Sequence, residues 1–263
     1  MKNNKFLDNF IIVVVFIFLF APICVLILFS FNTSRMNITF EGFTLEWYKI
    51  LFKNPTLLEA LKNTLIIACT STVVSTIIGT ISAYGFRKYD FKGKEFINAL
   101  IYIPVVIPEI VLGISLLCVY TLAKLELGMF TLILSHICFS IPFVIISVRS
   151  VLDSLDDNLE NAAADLGASP MKIFFKIILP SILPGILSGA QLAFTLSLDD
   201  VVISYFAAGP GSNTLPLYIY SLIKTGITPD VNALISLMLL VVFIILTVSA
   251  FISVRKMKEG NVA

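Results

Sequence analysis

The stretch LDDNLENAAADLGASPMKIFFKIILP, residues 155–180, lies between two long apolar runs and decides how the chain is read. It predicts a short helix over 158–166, capped by Asp157 and ended by Gly167. The sign is that Leu159, Ala162, Ala163 and Leu166 recur at i, i+3, i+4 and i+7, which places them on one helical face. Ser169-Pro170 then supplies an N-cap and a first-turn proline for a second amphipathic helix leading to Pro180. The connection that begins at Val151 starts with acids: Asp153, Asp156, Asp157 and Glu160. A short amphipathic helix between membrane segments either lies on lipid or docks to a protein. Interfacial helices turn Lys and Arg toward anionic headgroups. This one is acidic with a face made mostly of alanine, which suits a shallow protein groove better.

Outward from that segment the chain is apolar. Of 263 residues, 58% are hydrophobic and 13% charged, against about 25% charged in soluble domains. Mean hydropathy is +0.98, and the formal charge of +1 gives no global attraction to nucleic acid. Cys24, Cys69, Cys118 and Cys138 each fall inside an apolar run, without the spacing of a zinc site, and read as small buried hydrophobes. The run from Phe10 to Phe31 is longer than the apolar core of a signal peptide, about 7–15 residues, and reads as a helix that stays attached.

Six segments have the length of about 20 residues that crosses a bilayer: 10–31, 61–85, 97–122, 128–149, 181–207 and 231–254. With the N-terminus inside, the inner segments hold Lys2, Lys5, Arg87, Lys88, Lys92, Lys94, Arg149, Lys172, Lys176, Arg255, Lys256 and Lys258. The outer ones hold Arg35, Lys49, Lys53, Lys62, Lys124 and Lys224. Twelve against six predicts both termini in the cytoplasm. Residues 1–58 form a first spanning helix and outer loop, 59–255 a core of five spans containing the segment 151–180, and 256–263 a cytoplasmic tail. Ser71, Ser75, Gly79 and Ala83 recur every fourth residue, which allows close approach of another helix. Pro104 and Pro108 are candidate kinks in the third span. Ala208-Gly209-Pro210-Gly211-Ser212-Asn213 is a turn, a short helix follows at 215–225, and Thr228-Pro229 starts the last span.

An ionisable group within a span costs about 2.5–3.5 kcal/mol on insertion scales and marks a functional position by default. Glu109, just after Pro108, and Asp199 and Asp200 qualify, with no Lys or Arg at matching depth. Ser188, Gln191, Thr195 and Asp199 form a polar stripe, and Asp200 lies about 100° further round a continuous helix. If the helix stays intact, one aspartate faces a pathway and the other a partner helix or a freed backbone amide. A structural role, protonated or hydrogen-bonded, is the alternative for all three. A pathway lined this way favours cations, and a second chain is needed to complete its wall. His136, the only histidine, reads as packed and hydrogen-bonded beside Ser135. No Gly-rich phosphate loop, nucleophile–base pair or metal cluster is present in the sequence, so neither an enzyme nor a metal site is expected.

The stretch Asn161-Ala162-Ala163-Ala164-Asp165-Leu166-Gly167, with Ile177-Ile178-Leu179-Pro180, resembles the "EAA" loop of binding-protein-dependent (type I, MetI-like) ABC-importer permeases. The family pattern is Glu-Ala-Ala, three residues, Gly, nine residues, then Ile-x-Leu-Pro. Both spacings are kept. Asn161 replaces the first glutamate, and Glu160 lies one residue earlier. The resemblance implies an all-α fold of six transmembrane helices with a cytoplasmic coupling helix. That helix, carried by Leu159, Glu160, Asn161, Ala162, Ala163, Leu166 and Gly167, would dock into a separate ATPase subunit. ATP and Mg would bind that partner, with no cofactor in this chain.

Ser197-Leu198-Asp199-Asp200-Val201-Val202-Ile203-Ser204-Tyr205-Phe206, Gly209-Pro210-Gly211-Ser212-Asn213-Thr214-Leu215-Pro216 and Gly226-Ile227-Thr228-Pro229-Asp230-Val231-Asn232-Ala233-Leu234 are similar to the permeases of spermidine/putrescine importers. That implies a multi-pass protein of the bacterial cytoplasmic membrane. Its partners would be a second permease as heterodimer, a cytoplasmic ATPase dimer and an external polyamine-binding protein. The resemblance adds Ser197 to the pathway. The chemistry agrees: ammonium groups on methylene chains need spaced carboxylates and aromatic faces. Trp47 either supplies such a face or anchors the outer loop at the membrane interface. The competing readings are a permease for another small cationic or organic solute, a self-sufficient channel or secondary transporter, and a membrane-embedded enzyme. The second class often shows internal repeats, which are not evident here.

Overall fold

The computed structural model describes residues 5–35, 38–156, 158–222 and 229–260. Asp157, expected to cap the short cytoplasmic helix, and the run Gly226-Ile227-Thr228 lie outside the described residues. The chain separates into two units, Met1–Leu58 with Ser221–Ala263, and Glu59–Tyr220.

In the first unit, α1 (Lys5–Phe29) and α2 (Glu46–Leu51) both pack on α13 (Pro229–Gly260). From Phe10 onward α1 is apolar all round, with no buried residue up to about Cys24, as suits a helix bathed in lipid or covered by a partner. Between α1 and α2 the loop closes around buried Asn32. Its Nδ2 donates to Thr39 O (2.7 Å), and its Oδ1 accepts the Glu41 amide (2.9 Å). The ring of Phe31 stacks on Phe43 at 5.2 Å between centroids. Asn54 precedes Pro55 at the start of α3 (Pro55–Lys88). Its Oδ1 accepts the Leu57 amide (3.2 Å), and its Nδ2 donates to Asp230 Oδ2 (2.9 Å).

The second unit is built on α6 (Met129–Leu152), half of which is buried. It receives the rest of α3, α4 (Lys94–Val106), α5 (Glu109–Leu122) and α7 (Leu159–Asp165). After α7 come α8 (Pro170–Ile173), a π-helical turn over Phe174–Ile178, and α9 (Leu179–Ser181). Then follow α10 (Leu183–Asp199), α11 (Val202–Ala207) and α12 (Leu215–Leu222). Small residues set the approach of α10 to α6. Gly185, Gly189, Ala193 and Ser197 form its buried face, and a Cβ on Gly189 would stand 3.1 Å from Val144 Cα. The predicted stripe on α3 works the same way: a Cβ on Gly79 would meet the Val144 side chain at 2.7 Å. These contacts enclose a core of Val144, Ile145, Val148, Leu152, Ile182 and Ala193.

Among the described residues, three helices are long and apolar enough to span a bilayer: Asn9–Phe29, Pro55–Lys88 and Met129–Leu152. Two broken pairs bring the candidates to five, and Pro229–Ile244 is a shorter apolar helix. The third predicted span, 97–122, is not continuous. α4 and α5 meet at 114°, because Pro108 lacks an N–H and forces Ile107 out of the helical region (φ −74°, ψ 141°). Pro104, also expected to kink, sits within α4 without ending it. The fifth span, predicted as 181–207, is bent by 66° from the helix before it at Ile182, and its helix stops at Asp199. The four cysteines are free as expected but exposed rather than buried, because each lies on the outward face of its helix.

Candidate translocation and coupling sites

The break at Pro108 meets the one after Asp199, where α10 gives way to α11. α5 packs along α11, and glycine makes the approach possible: a Cβ on Gly113 would stand 2.6 Å from Phe206 Cδ2. Around the junction lies a cavity of about 270 Å³ lined by Glu109, Asp199 and Asp200 together with Phe139, Leu196 and Val202. Glu109 is the first residue of α5, where free amides and the positive dipole end favour a carboxylate. Glu109 and Asp199 are exposed, and among the described residues neither carboxylate has a hydrogen bond or ion pair. Discontinuous membrane helices that gather charged groups at their breaks are a recurrent way to build a solute site.

Asp200 differs from its neighbour. It is buried, with Oδ1 accepting the Ile203 amide (3.1 Å) and Oδ2 the Ser204 amide (2.7 Å). The two aspartates therefore sit apart across the break: Asp199 ends α10 in the open, and Asp200 closes the start of α11. Ser197 is buried one turn earlier. Its hydroxyl lies 2.7 Å from His136 Nδ1 and 3.2 Å from Ser71 Oγ. The predicted polar stripe of Ser188, Gln191, Thr195 and Asp199 is exposed along its length, opposite the small-residue face that holds α6.

Trp47 belongs to the other unit, on α2, where it is half-buried and donates its indole N–H to Asn32 O. The aromatic residue at the acids is Phe139. Sequence reasoning passed over it as one of many phenylalanines on apolar helices. The available signal was its position three residues after His136, on the same face of α6.

The short helix of the 155–180 stretch forms over Leu159–Asp165, close to the predicted 158–166, and Gly167 ends it with φ +81°. Its apolar residues do not form one free face. Ala163 is buried and Leu159 packs beside it against the core, whereas Ala162 is exposed and Leu166 is 89% exposed. The difference comes from the body of the unit lying against one side of so short a helix, which splits the alanine face into inward and outward halves. Asn161 is exposed, and Glu160 turns inward instead. Its Oε2 accepts from Lys88 Nζ (2.8 Å) and from Tyr84 OH (3.0 Å), and Lys88 also donates to Tyr84 OH (2.7 Å). The Tyr84 ring lies 4.9 Å from that of Phe174 in the π-helical turn. Lys88 and Tyr84 were not among the expected coupling residues.

Broken apolar helices around acids, with a short helix displayed beside them, define a multi-pass membrane permease. The chain belongs to the family described as binding-protein-dependent transport system inner membrane component, whose model matches residues 75–258, and it is an ABC-importer permease. It is 40% identical to the spermidine/putrescine transport system permease protein PotC of Escherichia coli (strain K12) over 94% of this chain and 93% of that one. Identity to PotC of Haemophilus influenzae is also 40%, over 95% and 98% of the two chains. The putrescine transport system permease protein PotI of E. coli (strain K12) is 37% identical over 93% and 89%. In fold, the chain resembles a subunit of a bacterial ABC transporter that imports the acidic polysaccharide alginate. The TM-score is 0.73 at 17% identity, covering 95% of this chain and 97% of that one.

Proposed function

We propose that this chain passes polyamines, spermidine or putrescine, across the bacterial cytoplasmic membrane. It does so as one half of a heterodimeric permease, with six spans and both termini inside. A polyamine-binding protein outside delivers the solute, and a cytoplasmic ATPase dimer supplies the work through α7. The single observation that carries this reading is the cavity at the two breaks, where Glu109, Asp199 and Asp200 converge and, among the described residues, no lysine or arginine contributes to the lining. A flexible chain of ammonium groups and methylenes matches spaced carboxylates beside an aromatic ring. The exposed polar stripe on α10 supports a second permease: such a stripe is unfavourable against lipid and favourable across a hydrated path. The named substrates of PotC and PotI point the same way.

Alternating access then follows as a population shift. ATP favours a closed ATPase dimer, and the docked helix carries that preference to the bundle. The test is radiolabelled spermidine and putrescine uptake in cells lacking the chain, with and without its restoration. Restored uptake that competes with unlabelled polyamine supports the proposal. Restoration of an uncharged or anionic solute instead refutes it.

A further inference from the structure

We infer that His136 is a positioning residue of the translocation site: its imidazole bridges the two sides of the α10–α11 break and thereby holds Asp200 inward and Asp199 toward the cavity. The inference rests on the proposed pathway for its link to uptake, but its geometry stands independently.

His136 is 1% exposed on α6. Nδ1 lies 2.7 Å from Ser197 Oγ, in the last turn of α10. Nε2 lies 3.2 Å from Ser204 Oγ, on α11, and 3.5 Å from Asp200 Oδ2, in the break itself. One ring therefore touches the residue groups before, within and after the discontinuity. Behind it, Ser197 continues to Ser71 on α3, so the bridge is anchored to a third helix. The ring also meets Phe139 edge-on, at 5.5 Å between centroids, and Phe139 lines the cavity.

A helix break inside a bundle leaves backbone and side-chain polar groups that need partners. Asp200 satisfies two amides of α11, but by itself it ties α11 only to the break. The two nitrogens of imidazole point in opposed directions and can serve one donor and one acceptor at once. That makes histidine suited to span from α10 to α11. An apolar side chain of similar size fills the volume but leaves Ser197 and Ser204 without these contacts. The buried carboxylate of Asp200 also loses its polar neighbour on that side.

The test uses the full complex in its membrane and two readouts. The first is the rate at which a cationic methanethiosulfonate modifies Val202→Cys at the cavity wall, with the four native cysteines replaced by serine. The second is the half-saturating concentration and maximal rate of polyamine uptake, measured without Val202→Cys. Losing a buried hydrogen bond to a polar or charged partner corresponds to about two- to a hundredfold in an equilibrium. His136→Leu is therefore expected to change the modification rate at least about fivefold and to raise the half-saturating concentration about tenfold. His136→Gln, which keeps a donor and an acceptor, is expected to recover part of both. If His136→Leu does not reach the membrane, His136→Asn takes its place, since it reaches Ser197 but not Ser204. An unchanged modification rate in the variant overturns the inference. So does a fall in maximal uptake that merely follows protein abundance. If wild-type complex takes up no polyamine, the proposed substrate is wrong, and the modification rate alone decides the role of His136.

Discussion

Glu160 Oε2 and Lys88 Nζ stand 2.8 Å apart, and through this pair the short helix α7 is tied to the last turn of α3. Both side chains are about a quarter exposed. Such a pair contributes only about 0–1 kcal/mol to stability. Its value lies in where it holds α7, the element proposed to receive work from the ATPase. Glu160→Gln is expected to leave thermal stability and membrane abundance unchanged while lowering solute-coupled uptake severalfold. Combining Glu160→Lys with Lys88→Glu is expected to recover part of the loss. Full uptake in Glu160→Gln and in Lys88→Met refutes a positional role for the pair.

Gly167 ends α7 at φ +81°, with open space where a Cβ would stand. The cost of substitution there is purely conformational, about 1–2 kcal/mol for an ordinary residue in the left-handed region. It is larger for β-branched residues than for asparagine. Gly167→Val is expected to abolish uptake while the bundle still folds, and Gly167→Asn to retain a substantial fraction. Uptake assays alongside detergent-extracted melting curves separate the two effects. Normal uptake by Gly167→Val removes α7 from the docking role.

Asp199 and Asp200 are adjacent in sequence and are expected to respond differently. Asp199 is exposed to the cavity, so Asp199→Asn should impair polyamine uptake far more than assembly. Asp200 closes the start of α11 with two charge-assisted bonds. Weakening them costs about 1–3 kcal/mol. Asp200→Asn should therefore lower abundance and melting temperature as well as uptake. Identical behaviour of the two variants in both assays contradicts the division of roles.

Gly113 faces Phe206 at the junction of α5 and α11, where a Cβ would come within 2.6 Å of the ring. Gly113→Ala is expected to destabilise the protein by about 1–3 kcal/mol through overpacking. Phe206→Leu, which removes ring edge at the same place, should relieve much of that in the double variant. Additive effects in a double-mutant cycle would mean that this contact does not set the approach of the two helices.

By itself the sequence determined what is local. Long apolar runs and the charge deficit established a helical membrane protein, since crossing a bilayer requires only length and hydropathy. Pro108 marked a weak point because a missing N–H acts on its own helix, and Gly167 marked an end because its conformation is its own. The resemblance carried by Asn161 to Pro180 pointed to an importer permease, and the acids stood out because charge is rare in such helices. Tertiary structure decided what depends on neighbours. The break after Asp199 carries no proline or glycine; buried Asp200 and His136 hold it, and they meet only when α6 packs on α10. That meeting also decided which aspartate stays open. The alanine face of α7 read as one surface because periodicity contains no information about what lies on either side. The body of the unit took Leu159 and Ala163 and left Ala162 and Leu166 outside.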